Sequence, residues 1–178
     1  SARETFPFSI TSLTIPWKFS DIPSWSELSI LSGESNANVN LTVEDNLSVD
    51  TDRLGIFYLE STHEIWKSSV PMSAYQPAAR PYVQLSAYEV VLDGGASSSE
   101  VTVRGNCVWT AVTNDNWLLI SYDVNTERVN IRASENTTNV ARTGTIEIKY
   151  KNKTISKITV LQRVANIFAE TTPLEFEN

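Results

Sequence analysis

The chain has 178 residues, which is enough for one or two domains. Hydrophobic residues make up 41% and charged residues 20%, values typical of a folded globular protein rather than a disordered one. The formal net charge of −7 disfavours nucleic acid and anionic lipid headgroups as partners, because an acidic surface repels phosphate groups.

Two further features limit the class of protein. No apolar run approaches the ~20 residues that cross a bilayer, and the terminus SARET predicts a processed or trimmed end rather than a signal peptide.

The single cysteine, Cys107, can form no intrachain disulfide. It alternates with Trp109 and Ala111, which predicts a small buried apolar side chain. A catalytic thiol would need a base, and the only histidine, His63, lies in the other half of the chain.

Short runs of Val, Ile, Thr and aromatic residues, separated by Asn, Asp, Gly and Ser, occur along the whole chain. Such runs predict an all-β fold. Apolar and polar residues alternate within the runs, so each strand is expected to have one buried and one exposed face. In the second half the pattern predicts eight strands, near 82–86, 88–93, 99–104, 107–113, 117–121, 127–133, 143–151 and 154–162.

The first half repeats the skeleton of the second, with extra residues near 32–37 and 60–67. The repeat predicts two tandem immunoglobulin-like β-sandwich domains, at 1–77 and 78–163, joined by a stiff proline-containing linker near 76–81. The repeated positions are Trp17, Trp25, Arg53, Gly55 and Gln76 in the first half and Trp109, Trp117, Arg142, Gly144 and Gln162 in the second.

The two ends of the chain are out of phase with this repeat. The first half contains no segment that matches 82–93, so the first domain is expected to lack its first strand. Residues 169–176 match 85–92, so the tail at 164–178 resembles the first strand of a further repeat. Three roles for the tail stay open. In the first, the chain is a piece of a tandem array and the tail begins the next repeat. In the second, the tail packs on an adjacent domain of a longer parent protein. In the third, the tail fills the gap in another molecule by strand exchange.

The second half contains a series of short motifs in a fixed order: Trp109, 117–121 (WLLIS), 135–137 (ENT), 141–146 (ARTGTI) and 158–162 (ITVLQ). This order resembles the BACON domain family (Bacteroidetes-associated carbohydrate-binding, often N-terminal). The first half matches more weakly, since Ser26 replaces an apolar residue and 72–76 reads MSAYQ.

The resemblance implies a β-sandwich of the immunoglobulin type on the cell surface or in the periplasm of a gut bacterium. It implies a non-enzymatic module of a glycan-utilisation protein, as part of a lipoprotein, that binds carbohydrate such as mucin or polysaccharide. The alternative is a structural spacer or assembly domain with no ligand of its own.

Aromatic side chains are the candidates for glycan binding, because sugars stack on exposed rings. Trp66 is the strongest candidate, since it matches no repeat position and lies in the inserted segment near 60–67. Trp25 and Trp117 recur where a loop enters a strand, which favours a shared packing role, but they remain ligand candidates together with Tyr122. Trp17 and Trp109 are expected in the core.

Polar residues give no catalytic, metal or cofactor site. The acidic residues at 44, 45, 50 and 52 predict a solvated loop rather than a calcium site, since their spacing does not fit the helix–loop–helix motif. No nucleophile elbow occurs, and enzymatic activity is not expected. Arg53 and Arg142 predict a hydrogen bond across the end of each sandwich, with Gly55 and Gly144 at positive φ, although a ligand clamp is the alternative. Asn-x-Ser/Thr triplets such as that at Asn136 predict turn or edge residues.

Overall fold

The computed structural model describes residues 3–165, and the chain divides into two compact units between Arg80 and Pro81. All elements assigned in residues 3–165 are strands, as the sequence predicts, and they form β-sandwiches. No helix in the described part of the chain is long and apolar enough to cross a membrane. The tail at 166–178, which the sequence matches to a further repeat, lies outside the described residues.

The first unit contains two sheets. One has the strand order β1-β5-β3 and the other β4-β2-β6-β7, and all its pairs are antiparallel. The strands are β1 (Glu4–Ile10), β2 (Trp17–Ser20), β3 (Ser26–Leu28), β4 (Ser32–Gly33), β5 (Ala37–Val43), β6 (Arg53–Ser61) and β7 (Ser69–Gln76).

The second unit also contains two sheets, with the orders β12-β13-β10-β8 and β11-β14-β15-β9. Strand β9 pairs with β15 in parallel, and the other pairs are antiparallel. The strands are β8 (Val83–Leu85), β9 (Glu89–Leu92), β10 (Ser97–Gly105), β11 (Thr110–Thr113), β12 (Leu118–Asp123), β13 (Arg128–Ala133), β14 (Arg142–Tyr150) and β15 (Lys153–Gln162).

The core of each unit forms from the apolar residues of the alternating strands. In β13, Val129 and Ile131 are fully buried, whereas Asn130 between them is exposed. Trp109 and Trp17 are 2% and 4% exposed, so both tryptophans predicted to be in the core are buried. The Trp17 indole N–H donates to the Ser35 carbonyl at 2.8 Å, which satisfies the polar atom of this buried ring.

The sheets of the two units correspond strand by strand. The order β1-β5-β3 matches β10-β13-β12, and β2-β6-β7 matches β11-β14-β15. Within residues 3–165, the first unit has no strand beside β1 in the place of β8, and none beside β7 in the place of β9. Strand β7 is therefore the outer strand of its sheet, whereas β15 is an inner one.

The prediction for Cys107 is wrong. Its side chain is half-buried and precedes β11, because residues 106–107 form a bend and residues 108–109 belong to no strand. The Cys107 Sγ lies 3.8 Å from the Tyr82 carbonyl oxygen, at the start of the second unit. Alternation alone could not reveal that the strand begins only at Thr110.

Candidate functional site

The repeated residues of the second unit contact one another. Arg142 Nε donates to Gln162 Oε1 at 2.8 Å, and Arg142 Nη2 donates to the Ser134 carbonyl at 2.7 Å. The guanidinium carbon lies 4.4 Å from the ring centroid of Trp117, which is a cation–π distance. Arg142 therefore ties together β14, β15, the segment after β13 and the residue before β12.

The first unit repeats this arrangement. Arg53 Nε donates to Gln76 Oε1 at 2.8 Å, and Arg53 Nη2 donates to the Glu44 carbonyl. The Arg53 guanidinium carbon lies 4.4 Å from the Trp25 ring centroid. The hydrogen bond across the sandwich end that the sequence predicts for both arginines is present, and the tryptophan is part of the same group.

The prediction of positive φ for the repeated glycines is wrong, since no described glycine has a positive φ. A Cβ on Gly144 would lie 2.8 Å from Trp117 Cζ2, and one on Gly55 would lie 2.2 Å from Pro23 Cγ and 2.9 Å from Trp25 Cζ2. These distances are too short for real contacts. The glycines therefore leave room for the indole rings.

Internal packing accounts for the recurrence of Trp25 and Trp117. Both rings are half-buried, with an arginine over one face and a glycine at the edge. Tyr122 is 42% exposed, and its ring centroid lies 5.6 Å from that of buried Trp109. All three candidates make contacts within their own units, and Trp25 also lines two surface pockets of about 260 and 340 Å³.

Asn136 lies in the loop between β13 and β14, in keeping with the prediction of a turn or edge residue, but its side chain is fully buried. Its Nδ2 donates to the Val140 and Arg163 carbonyls at 2.9 and 3.0 Å, and its Oδ1 accepts from the Thr138 amide and hydroxyl. Asn46 makes the matching contacts in the first unit, to Thr51 and Pro77. A buried amide that saturates backbone groups in this way stabilises the loop after β13.

The acidic residues of the first unit act as hydrogen-bond and ion-pair partners. Asp52 accepts from the Tyr75 hydroxyl at 2.6 Å and from the Ala78 amide at 2.9 Å. The Tyr75 hydrogen bond, followed by that of Ala78, lowers the pKa of Asp52. Glu44 pairs with Arg3 at 3.4 Å. Residues 3–165 contain no group of three His, Cys, Asp or Glu side chains that could hold a metal ion.

Trp66 is the exposed ring of the loop between β6 and β7, with 64% of the residue accessible. One face of the indole stacks on the His63 ring, at a centroid distance of 4.6 Å and an interplanar angle of 18°. His63 Nδ1 accepts the backbone amides of Ile65 and Trp66, both at 3.2 Å. Ser61 Oγ donates to the Trp66 carbonyl at 2.6 Å. The histidine thus supports the tryptophan, and the other face of the indole is open to solvent.

A shallow polar pocket of about 540 Å³ adjoins this loop. Lys18 and Glu60 on neighbouring strands form an ion pair of 3.5 Å at its wall. The hydroxyl, lysine and carboxylate groups of the pocket can donate and accept hydrogen bonds. The pocket is lined by Lys18, Glu60, Ser61, Thr62, Lys67, Ser68 and Ser69.

The second unit has no counterpart of this loop. Its β14–β15 hairpin turns through Lys151 and Asn152 alone, with φ of 46° and 65°. The extra length of the first unit at residues 62–68 is the insertion that the repeat reveals, so the sequence contained the signal for this site. Trp25 lies near Gly55 and Trp66 follows Ser61, roughly 20 Å farther along β6. These two tryptophans therefore do not form one site.

Residues 108–163 match the model of the BACON family, which is described as "Putative binding domain, N-terminal". This segment is similar to BACON domains. The match runs from just before β11 to just after β15, so the resemblance drawn from the motifs is confirmed for this part of the second unit. A search of curated proteins gave no match to the chain.

Three solved structures similar to this chain have 10% sequence identity to it. The endo-fucoidan hydrolase MfFcnA4 of glycoside hydrolase family 107 has a TM-score of 0.39 and 10% identity, with 92% of this chain and 27% of that chain covered. The hydrolase MfFcnA9 of the same family has a TM-score of 0.37 and 10% identity, with 90% of this chain and 31% of that chain covered. Zebrafish RET cadherin-like domains 1 to 4 have a TM-score of 0.36 and 10% identity, with 90% of this chain and 42% of that chain covered. This chain therefore spans less than a third of the length of the two hydrolase chains.

Proposed function

We propose that this chain is a non-catalytic carbohydrate-binding module of a longer exported glycan-utilisation protein, at the outer-membrane surface or in the periplasm. The observation that carries the proposal is the exposed Trp66 ring, stacked on His63 in a loop whose residues Thr62, Lys67 and Ser68 line a pocket of polar side chains. The description of the BACON family as a binding domain supports it.

The chemistry of the loop fits a sugar. The apolar face of a pyranose ring is buried against the open face of Trp66, while its hydroxyls exchange hydrogen bonds with groups such as Lys67 and Ser68. The His63 ring holds the indole in place before the ligand arrives, which lowers the entropic cost of binding. The net charge of −7 favours neutral glycans over polyanionic ones.

Affinity gel electrophoresis tests this function after a glycan array has selected the ligand. The array should carry mucin glycans and neutral polysaccharides, and the selected glycan is then cast into the gel. We expect retardation of the wild type and its loss in Trp66→Ala. Tyr82→Ala is the matched control, since Tyr82 is 60% exposed and lies in the second unit. If Trp66→Ala migrates like the wild type in the glycan gel, the assignment of Trp66 is wrong.

His63 gives a second, graded test of the same site. His63→Ala removes both the supporting ring and the acceptor for two backbone amides, so we expect weaker retardation than in the wild type. The fold is monitored by circular dichroism, because the loop lies outside the core.

The packing of the repeated tryptophans favours a second candidate function, a spacer or assembly domain without a ligand. Trp25 and Trp117 recur because they pack on an arginine and a glycine of their own unit. A wild-type chain that retains no glycan on the array or in the gel would establish the spacer role over the binding role.

A further inference from the structure

The open side of β7 differs from its counterpart in the second unit. There, β9 runs parallel to β15, with Val90 opposite Val160 and Leu92 opposite Gln162. Val90 and Leu92 are buried in the core, whereas Val91 between them is 47% exposed. Among the described residues, no strand covers the same side of β7. Unpaired amides and carbonyls along such an edge can accept a further strand.

An apolar groove lies where this strand would pack. It has a volume of about 340 Å³ and is lined in part by Phe6, Trp25, Leu41 and Ala74. Phe6 is 49% exposed, and Leu41 and Ala74 are only half-buried. Ile131 and Val160 of the second unit, which correspond to Leu41 and Ala74, are fully buried in the apolar cluster that also contains Val90 and Leu92 of β9. The first unit therefore has a place for two apolar side chains on its surface.

Gln76, at the end of the groove, makes fewer side-chain hydrogen bonds than its counterpart Gln162 in the second unit. Gln162 Nε2 donates to the carbonyls of Gly94 and Gly95, which follow β9, at 3.4 and 3.1 Å. Gln76 Oε1 accepts from Arg53 as Gln162 accepts from Arg142. Gln76 Nε2, however, has no hydrogen bond to another described residue. The residue that follows an incoming strand, at the position of Gly94, would bring the carbonyl that Gln76 Nε2 lacks.

The chain itself contains a sequence suited to this edge. Residues 169–176 read AETTPLEF and match 85–92, which read LSAYEVVL. The match places Leu174 and Phe176 at the two buried positions of β9 and Glu175 at the exposed one between them. Alternation of this kind is what a strand with one buried face requires.

We propose that residues 169–176 of a second copy of this chain add to the first unit as a strand parallel to β7. Leu174 then lies opposite Ala74, Glu175 opposite Tyr75 and Phe176 opposite Gln76, with the two apolar side chains in the groove. Each copy has one donor tail and one acceptor edge, so the contact is heterologous and closes into a ring or extends into a chain of copies. Strand addition provides backbone hydrogen bonds, and the groove provides the register.

The oligomeric state of the full chain is the first test, measured by sedimentation equilibrium or light scattering over a range of concentrations. We expect association of the wild type and a monomer for the variant Leu174→Asp/Phe176→Asp. Glu175→Gln is the matched control and should associate like the wild type, because residue 175 takes the position of the 47% exposed Val91 in the proposed strand. A wild type that stays monomeric, or a double variant that associates equally well, overturns the proposal.

Cross-linking tests the register and shows whether two molecules take part. In a Cys107→Ser background, one tagged chain carries Tyr75→Cys and a differently tagged chain carries Glu175→Cys. We expect a disulfide-linked heterodimer after mixing and mild oxidation. Leu13→Cys replaces Tyr75→Cys in the control, since Leu13 is 77% exposed and lies outside the groove. Equal cross-linking of the two positions contradicts the proposed register, and a link that forms only within one chain contradicts exchange.

A synthetic peptide of residues 169–178 provides an assay that is independent of oligomer formation. The acceptor is the full-length Leu174→Asp/Phe176→Asp chain, whose own tail is disabled, and binding is followed by fluorescence anisotropy. We expect the peptide to bind and its Leu174→Asp analogue to bind about tenfold more weakly or worse, because burying a leucine is worth at least a factor of ten. Absence of peptide binding, or equal binding of both peptides, refutes the assignment of the tail as donor.

Discussion

At the scale of single residues, the repeated positions form one group of contacts in each unit. An arginine stacks on a tryptophan and donates to a glutamine, and a glycine admits the ring. Another residue type at any of these positions would not make the same contacts equally well. Lysine lacks the planar fork that serves Gln162 and the Ser134 carbonyl together. The recurrence of these residue types is therefore explained by packing inside each sandwich.

Gly144→Ala tests this explanation. The added Cβ would lie 2.8 Å from both Trp117 Cζ2 and Leu118 Cδ1, so the ring or its neighbours must shift. We expect a loss of about 1–3 kcal/mol in the free energy of unfolding, as for other overpacked sites. Gly95→Ala is the matched control, because a Cβ there meets nothing within 4 Å and φ is not positive. Urea denaturation measures both, and equal stabilities of the two variants would contradict the packing role of Gly144.

At the scale of elements, the β6–β7 pair combines structural and candidate functional features at its two ends. The Arg53 end carries the packed tryptophan and the Asp52–Tyr75 hydrogen bond. The other end carries the inserted loop with His63 and Trp66. The two ends can therefore be changed separately by substitution.

The Asp52–Tyr75 pair predicts a pH dependence of the first unit. The hydrogen bond from Tyr75 lowers the pKa of Asp52 in the folded state. The stabilisation is therefore present above the pKa of the unfolded chain and is lost as the pH falls through the lower folded pKa. We expect the acid-side decline in thermal stability of the first unit to be shallower in Asp52→Asn and in Tyr75→Phe. Glu64→Gln, in the exposed loop, is the control that should keep the wild-type decline.

Replacing the loop tests whether binding and folding are separable. Residues 62–68 are exchanged for the two-residue Lys-Asn turn of the β14–β15 hairpin, with β6 and β7 kept in register. The side-chain contacts of the loop run among residues 61–66, and its Thr62 amide donates to the Pro16 carbonyl at 2.9 Å. Because none of these contacts is to the apolar cluster of the first unit, we expect the melting temperature to change little and glycan retardation to disappear. The reciprocal graft of 62–68 onto the second unit should confer retardation. Retention of glycan by the shortened chain would place the ligand site elsewhere.

At the scale of the whole molecule, the two units share a strand order but differ in completeness. The second unit has strands on both sides of β15 and β10, and fifteen buried residues form its apolar cluster. The cluster of the first unit has six, and no strand among residues 3–165 covers the outer side of β7. Since stability follows the apolar area removed from water, the first unit is expected to be the less stable of the two.

Calorimetry of the full chain measures this difference. We expect two unfolding transitions, the lower from the first unit and the higher from the second. Gly144→Ala should lower only the second transition, and Gly55→Ala only the first, which assigns each peak. A single transition that both substitutions lower equally would show that the two units unfold together.

Much of the fold could be predicted from local pattern. The alternation at 127–133 predicts β13 at Arg128–Ala133, and the repeat predicts an all-β chain with matching strands in its two halves. The insertion at 60–67 distinguishes Trp66 in the sequence from the tryptophans that the repeat shares. These features depend on neighbours a few residues apart, and the period of two is visible in the sequence.

Other features depended on contacts between distant residues. The sequence alone determined which segments alternate, where the skeleton repeats and which half is incomplete, because these are properties of residue order. Only the tertiary structure decided that Gly144 makes room for a ring instead of adopting positive φ, that Asn136 is buried, and that Trp66 stands apart from Trp25. The reason is physical: burial and ring contacts are set by strands that meet in space after separations of 20 residues or more, and no local pattern records which atoms those strands bring together.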